Sequence, residues 1–531
     1  MQPKFLFAKI LITGGIVLGL ELAASRILTP FFGVSLFVWS GILSVTLLAL
    51  ALGYKGGGIL AARVSRDQSL AAFLSAGALS ALWLDLCLWT YPFIFGPLSK
   101  FDLVFGSILA CVYLLFVPLV ILSALNPLLV SLLQSNEEQG DRGAGHVFFV
   151  STIGSVLGVF VVAYGMLPFV TNYQTVAILT LASALLSLAG LWTLRRSQRR
   201  LFLMAVAALL LSLATLVSGG LERFAQSASF RGITWKITAS APSSFGNLKM
   251  VDLVHEKSGA TLSRVLLNDG MTQNVFNAYG QADNLYTFVL ERLALAAVPD
   301  AKKALVLGIG GGTIPSNFVA DSIEVHAIDI SQRMVDFAKE NLGFDSTGMT
   351  VEIADARTAA RNCSRDNDIV TVDLFRDDGI PEHLVTQEFF ADIKNCLKDG
   401  GVMVMNTFMS TTDQRPEYAL LQTVASVFGE LQFAWEPKES GATLTSAFVV
   451  ARKGGPVGRL EYSSNNMPGK MINAMNATMQ TSCNIKAGDP VLKGAPILSD
   501  ISNQWKNLSH PVELSYRTAI ADFMPWQILL N

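Results

Sequence analysis

Three aspartates stand where apolar runs end in the second half of this chain. Asp329 closes the run 323–329, Asp355 follows the run 350–354, and Asp373 closes the run 368–373. Strand-end carboxylates fall at the carboxyl edge of a parallel sheet, where ligands bind in open α/β folds. Upstream of the first acid, Ala304-Leu305-Val306-Leu307 leads into Gly308-Ile309-Gly310-Gly311-Gly312-Thr313. Gly308, Gly310 and Gly312 allow a tight turn with no Cβ in the way, so a ligand can approach the backbone. Asp329 comes about 20 residues after that turn, where a carboxylate can accept both hydroxyls of a ribose. Together these residues predict a nucleoside site. Asp373 adds different chemistry, since a carboxylate there can take a proton from an attacking amine or hold that amine in line.

The segments around these residues alternate. Residues 304–329 read as strand, glycine turn, helix and strand, with Pro315 acceptable in the first helical turn. A serine-capped helix is predicted over 331–341, strands over 350–354 and 368–373, and a helix over 382–397. A strand over 402–406, a helix over 415–429 and strands over 430–435 and 446–451 complete the series. This pattern predicts a Rossmann-like α/β domain over 284–452, opened by a helix at about 284–297. Before it, period-two stretches at 232–238, 246–254 and 263–268 predict a small antiparallel β domain over 219–283. That β domain runs into Leu267-Asn268-Asp269-Gly270-Met271-Thr272-Gln273. Residues 453–531 read as loops and short helices packed on the catalytic domain.

The first 218 residues are of another kind. The chain has 531 residues, is 51% hydrophobic and 15% charged, and has a mean hydropathy of +0.45, too apolar for an ordinary soluble protein. Apolar runs at about 5–25, 34–62, 69–96, 103–133, 146–167, 172–194 and 201–218 each approach the roughly 20 residues that span a bilayer. Residues 1–218 therefore read as a helical membrane bundle. Lys4 and Lys9 would suit a leader peptide, but Glu21 and six further runs argue for a first span. The pairs Gly15/Gly19 and Gly154/Gly158 predict close helix contacts, and Pro118 and Pro127 a kink. Glu21, Arg26 and Asp85 are the ionisable residues nearest membrane depth, Glu21 and Arg26 close enough to a helix end to snorkel. A net charge of −2 implies no general nucleic-acid affinity. Five cysteines without a CxxC spacing and five scattered histidines predict neither a disulfide framework nor a metal site.

Four motifs resemble the spermidine synthase-like family of aminopropyltransferases, in particular its bacterial members fused to a multi-pass membrane region. Asp269-Gly270-Met271-Thr272-Gln273 is similar to the family's Leu-Asp-Gly-x-x-Gln. The glycine turn with Asp329 is similar to its nucleoside motif, and Ala354-Asp355 to the acid that contacts the adenine amino group. The stretch from Asp368 to Asp373, followed by Ile380-Pro381-Glu382-His383, is similar to its catalytic loop. The resemblance implies a transferase using S-adenosylmethionine or its decarboxylated form. It also implies Asp373 as the catalytic carboxylate, a base or orienting group, and Gln273, Asp269 and Asp377 as substrate-binding residues. A small-molecule acceptor and the lipid bilayer are the implied partners, with a homo-oligomer left open. The family's donor-amine aspartate is Gly311 here, the second acid of its Asp-x-x-Asp-Pro falls at about Arg376, and its Tyr-His pair is Val289-Leu290. Polyamine acceptors are therefore in question, and methyl transfer, acceptor-free cleavage of S-adenosylmethionine, or a transporter or sensor that only binds the nucleotide remain alternatives.

Two arguments about sidedness conflict. Nucleoside supply places the soluble half in the cytoplasm. Arg195, Arg196, Arg199 and Arg200 belong on the cytoplasmic side by the positive-inside rule, which sends a soluble half beyond one more span to the opposite face. Both hold only if residues 201–218 lie in the interface without crossing. On cofactor supply, the expectation is an inner-membrane protein with a cytoplasmic catalytic domain.

Overall fold

The structure, a computed structural model, describes residues 3–133, 140–219, 226–375, 379–437, 444–464, 467 and 469–530. Among them, seven helices are long and apolar enough to cross a membrane. In chain order these spans are Lys4–Phe32, Phe37–Arg63, Arg66–Lys100, Val104–Leu133, Gly143–Met166, Asn172–Leu194 and Arg199–Ser218. The two glycine pairs meet face to face. A Cβ on Gly158 would stand 2.3 Å from the backbone of Gly15, so the first and fifth spans touch backbone to backbone. The fourth span carries a π-helical turn at Val112–Phe116, one turn before Pro118, whose missing N–H cannot continue the ordinary ladder. Arg26 does not snorkel; it leaves the first span to bond the soluble half.

Five antiparallel strands follow as a meander: β1 (Ser227–Phe230), β2 (Ile233–Ala241), β3 (Leu248–His255), β4 (Thr261–Asn268) and β5 (Met271–Asn277). Both faces of this sheet are covered. Val251, Val265 and Leu267 share one apolar core with the seven long apolar helices. Met250, Leu266 and Phe276 point the other way, onto Met334 and Phe337 of the helix Gln332–Leu342. Neighbouring residues on a strand face opposite sides, so two covered faces leave little polar alternation to read.

The larger sheet has eight strands in the order β13-β11-β12-β10-β9-β6-β7-β8. β6 (Lys303–Leu307), β7 (Glu324–Asp329), β8 (Met349–Ile353), β9 (Asn367–Val372) and β10 (Leu397–Ser410) are parallel. β12 (Leu444–Arg452) is antiparallel to β10, and β11 (Glu430–Trp435) and β13 (Cys483–Lys486) extend that edge. The chain builds outward from β6 to β8, then returns to lay β9 against the other side of β6. The switch point therefore lies between β6 and β9.

Three expectations are corrected. The predicted helix over 382–397 is a single 3₁₀ turn, Glu382–Leu384, followed by the helix Gln387–Cys396. Thr386 divides them by accepting the N–H of Phe389 as an N-cap. The tail is more regular than predicted, adding β13 and a 19-residue helix, Trp505–Phe523. Finally, Cys363 and Cys396 form a disulfide, with Cα atoms 5.6 Å apart. The two residues end neighbouring helices, Ala356–Asn362 and Gln387–Cys396, and a pairing made by helix packing leaves no CxxC signature.

Candidate functional site

A cavity of about 540 Å³ opens at the carboxyl edge of the parallel strands. Gly308, Gly310, Asp329, Asp355, Asp373 and Gln273 all line it. Gly308 ends β6 at the switch point with φ of +97°, and a Cβ there would lie 2.0 Å from the carbonyl oxygen of Asp373. Only glycine lets the ends of β6 and β9 approach so closely. The backbone N–H of Asp373 donates to Leu307 O at 2.9 Å, which fixes the acid at that crossing.

Asp329 accepts from the backbone N–H groups of Ile309 (3.2 Å) and Ser331 (2.9 Å). The carboxylate thus ties the glycine turn to the start of the next helix while facing the cavity. Burial pushes its pKa up, against those N–H groups, which pull it down. Asp355 caps the helix Ala356–Asn362 by accepting from Arg357 (3.0 Å) and Thr358 (3.3 Å), and its other oxygen lies 3.0 Å from His383 Nε2. Burial raises the Asp355 pKa, but the hydrogen bond and charge of His383 outweigh it and leave a net lowering. His383 is therefore a rim partner of Asp355.

Asp373 meets the cavity floor and is otherwise enclosed by protein. Asn406 Nδ2 donates to it at 2.9 Å, and burial pushes its pKa up to about 6. A carboxylate poised there is suited to proton transfer near neutral pH. Tyr286 stands nearby, donating to Gln273 O at 3.1 Å and accepting from Asn274 Nδ2 at 2.7 Å. Burial, and then the charge of Asp373, hold the Tyr286 hydroxyl well above its usual pKa, so it stays a neutral donor.

Two expected site residues lie outside the cavity, and one lies outside the described residues. Gly312 starts the helix Thr313–Ala320, and a Cβ on it would meet the Phe344 ring at 2.2 Å, so it serves packing. Asp269 is buried on the opposite side of its loop, 3.7 Å from Arg26 of the first span, and accepts the N–H of Asn247 at 2.9 Å. Arg26 also bonds Ser244 O, and Arg517 donates to Thr29 O (2.7 Å) and Pro30 O (3.0 Å). Ser243, Phe245, Met271 and Tyr516, each a near neighbour in sequence of one of these anchors, line the cavity. The end of the first span thus backs three cavity walls. Arg26→Ala is expected to cost about 3 kcal/mol, the low end for a broken buried pair, because Lys249 and Arg517 also face Asp269. Thermal unfolding of the detergent-purified chain measures it, and an unchanged melting temperature would show the pair to be idle. Asp377 lies outside the described residues, with Arg376 and Asp378.

Sequence reasoning missed Asn406, Tyr286, Glu436 and Tyr516, all of which line the cavity. Asn406 had a usable signal: it is the polar residue after Val402-Met403-Val404-Met405, the same strand-end rule that singled out the acids. Val289 and Leu290, aligned with the family's Tyr-His pair, are fully buried, while Tyr286 one turn earlier reaches the cavity.

The spermine/spermidine synthase domain family matches residues 283–453. A polyamine aminopropyltransferase of Vibrio vulnificus is 32% identical over 168 residues, which is 30% of this chain and 55% of that protein. Polyamine aminopropyltransferase 2 of Hyperthermus butylicus is 28% identical over 179 residues, 32% of this chain and 57% of that one. The chain thus spans about half the length of these curated relatives. Among solved structures, spermidine synthase from Thermotoga maritima superposes with a TM-score of 0.38 at 17% identity, covering 48% of this chain and 90% of that one. The C-terminal part of the chain, across residues 283–453, carries the spermine/spermidine synthase domain.

Proposed function

We propose that this chain is a membrane-anchored transferase of the aminopropyltransferase type, using decarboxylated S-adenosylmethionine or S-adenosylmethionine as donor. The supporting observation is one cavity that holds a glycine turn with Asp329 on one side and Asp373 on its floor. Asp329 would take the ribose hydroxyls and Asp355 the adenine edge. A neutral acceptor amine attacks the carbon next to the sulfonium. As the N–C bond forms, the C–S bond breaks, its electron pair returns to sulfur, and the thioether leaves uncharged. Asp373 takes the proton that the new ammonium sheds. Because the leaving group needs no acid, positioning supplies most of the acceleration. The protein binds the bilayer through its seven spans. Its acceptor is a small molecule, and it needs no metal for this step.

The residues that would hold the amines depart from the family's pattern. Gly311 replaces the aspartate that would hold the donor's amine, and a Cβ on Gly311 would come within 2.7 Å of the Phe276 ring. Asn274 occupies the same corner, accepting the Gly311 N–H at 3.0 Å. Val289 and Leu290, buried where the family's Tyr-His pair would offer polar groups, leave a diamine without those partners, so putrescine is expected to be a poor acceptor, at about 1–3 kcal/mol for each buried amine left unpaired. Efficient spermidine formation from decarboxylated donor and putrescine would overturn that, and would show that other acids do the work. The missing aspartate also favours a second reading. Without it, the carboxylate of intact S-adenosylmethionine meets no opposing acid, which suits methyl transfer. Mass spectrometry of the product nucleoside separates the readings, as methylthioadenosine for aminopropyl transfer and S-adenosylhomocysteine for methyl transfer.

A further inference from the structure

We infer that the catalytic domain lies on the non-cytoplasmic face of the membrane, so that a transport step must bring the nucleoside donor across the bilayer. Three independent observations carry this. The first is the distribution of basic residues between the two ends of the bundle. Seven crossings put Lys4, the turn from Arg63 to Arg66, and the Arg195–Arg200 connection at one end. The opposite end holds the connections after Phe32, Lys100 and Met166 and the exit at Ser218, with Lys100 in the connections and Arg223 past the exit, against the four arginines of 195–200 alone at the first end. Short basic loops stay cytoplasmic, which places the first end inside.

The second observation is where the domain docks. Its contacts gather at the opposite end. Arg26 pairs with Asp269, Arg517 bonds Thr29 O and Pro30 O, Lys100 lies 3.7 Å from Asp522, and Phe93 packs on Trp526 with ring centres 5.0 Å apart. The seventh span does cross. It is bound to the third inside the bundle, with Ser212 donating to Asp85 at 2.7 Å and Trp89 donating to Thr215 at 3.1 Å. An interfacial helix would turn a polar face to water, whereas this helix buries Ser212 and Thr215 against its neighbours. The conflict between charge and cofactor supply therefore resolves in favour of charge.

The third observation is the Cys363–Cys396 disulfide, which joins two helices of the catalytic domain. Stable structural disulfides form in oxidising compartments and are rare in the cytosol. On this inference the domain lies opposite to where cofactor supply alone would put it. The orientation does not depend on the reaction proposed above; only the need for a donor transport step does.

The test uses the full chain in intact bacterial cells and a membrane-impermeant maleimide. Cys483 is free and exposed, and belongs to the catalytic domain. Ser197 sits in the arginine-rich connection, and Ser197→Cys supplies a probe there. The expected result is that Cys483 reacts in intact cells, Cys483→Ser removes that signal, and Ser197→Cys reacts only after permeabilisation. Reaction of Cys483 only after permeabilisation would overturn the inference, as would reaction of Ser197→Cys in intact cells.

Discussion

Asp373→Asn is expected to keep donor affinity and lose about 10²–10⁴-fold in turnover, the usual contribution of a positioned base. The substitution preserves shape at the β6–β9 crossing, where the backbone N–H of Asp373 bonds Leu307 O regardless of side chain. The asparagine keeps an amide oxygen that can still accept from Asn406 Nδ2, so that donor keeps its partner. The wild-type rate should also climb with pH through about 6, where burial places the Asp373 pKa, because only the carboxylate accepts a proton. In Asp373→Asn that limb should vanish. Stability moves the other way. A carboxyl whose folded pKa exceeds its unfolded value holds its proton better when folded, so folding weakens as pH rises from about 4 to 6. An activity limb rising over the range in which stability falls distinguishes a working base from a strand-end cap. Wild-type turnover in the variant would reduce Asp373 to that cap.

The β6–β7 unit was legible because its constraints are local. A buried strand, a turn that needs glycine, and a strand-end acid each leave their mark within a few residues. The same holds for Asp355 and Asp373. Asp269 was misplaced because its motif resembles a substrate loop, whereas its side chain answers Arg26, which lies 243 residues earlier in the chain. No local pattern records a partner at that separation. The disulfide was missed for the same reason, since helix packing joins residues 33 apart. Tyr516 comes from a tail helix that looked irregular, with Pro511 inside it and polar residues throughout. That helix begins at Trp505, whose Nε1–H donates to Ile380 O at 2.8 Å and so ties the tail to the loop after Asp373. The seven long apolar helices were legible because hydropathy is additive along a helix. Which side the catalytic part faces is not local in the same way, because cofactor supply and loop charge point in opposite directions.

Asp329→Ala is expected to weaken donor binding about 10- to 150-fold, from roughly 1.5–3 kcal/mol for hydrogen bonds to a charged acceptor. The alanine variant alone is ambiguous. Asp329 also accepts the N–H groups of Ile309 and Ser331, so its loss loosens the glycine turn as well as the ribose contact. Asp329→Asn separates the two. Its remaining oxygen can still accept the Ser331 N–H, so it loses one of the two turn bonds where alanine loses both, and its amide can no longer accept from a ribose hydroxyl and lacks the charge that strengthens such bonds. If the acid binds ribose, both variants should lose affinity for the donor by calorimetry to a similar extent, while the asparagine variant melts above the alanine variant. If the acid only braces the turn, the asparagine variant should bind the donor normally and the alanine variant should lose stability and affinity together. The deoxynucleoside gives a third reading: a donor lacking the 2′-hydroxyl should bind wild type more weakly, and should bind Asp329→Ala no more weakly than the ribose form does. Equal affinity of wild type for the two donors would remove Asp329 from the nucleoside site and leave the glycine turn as a packing device.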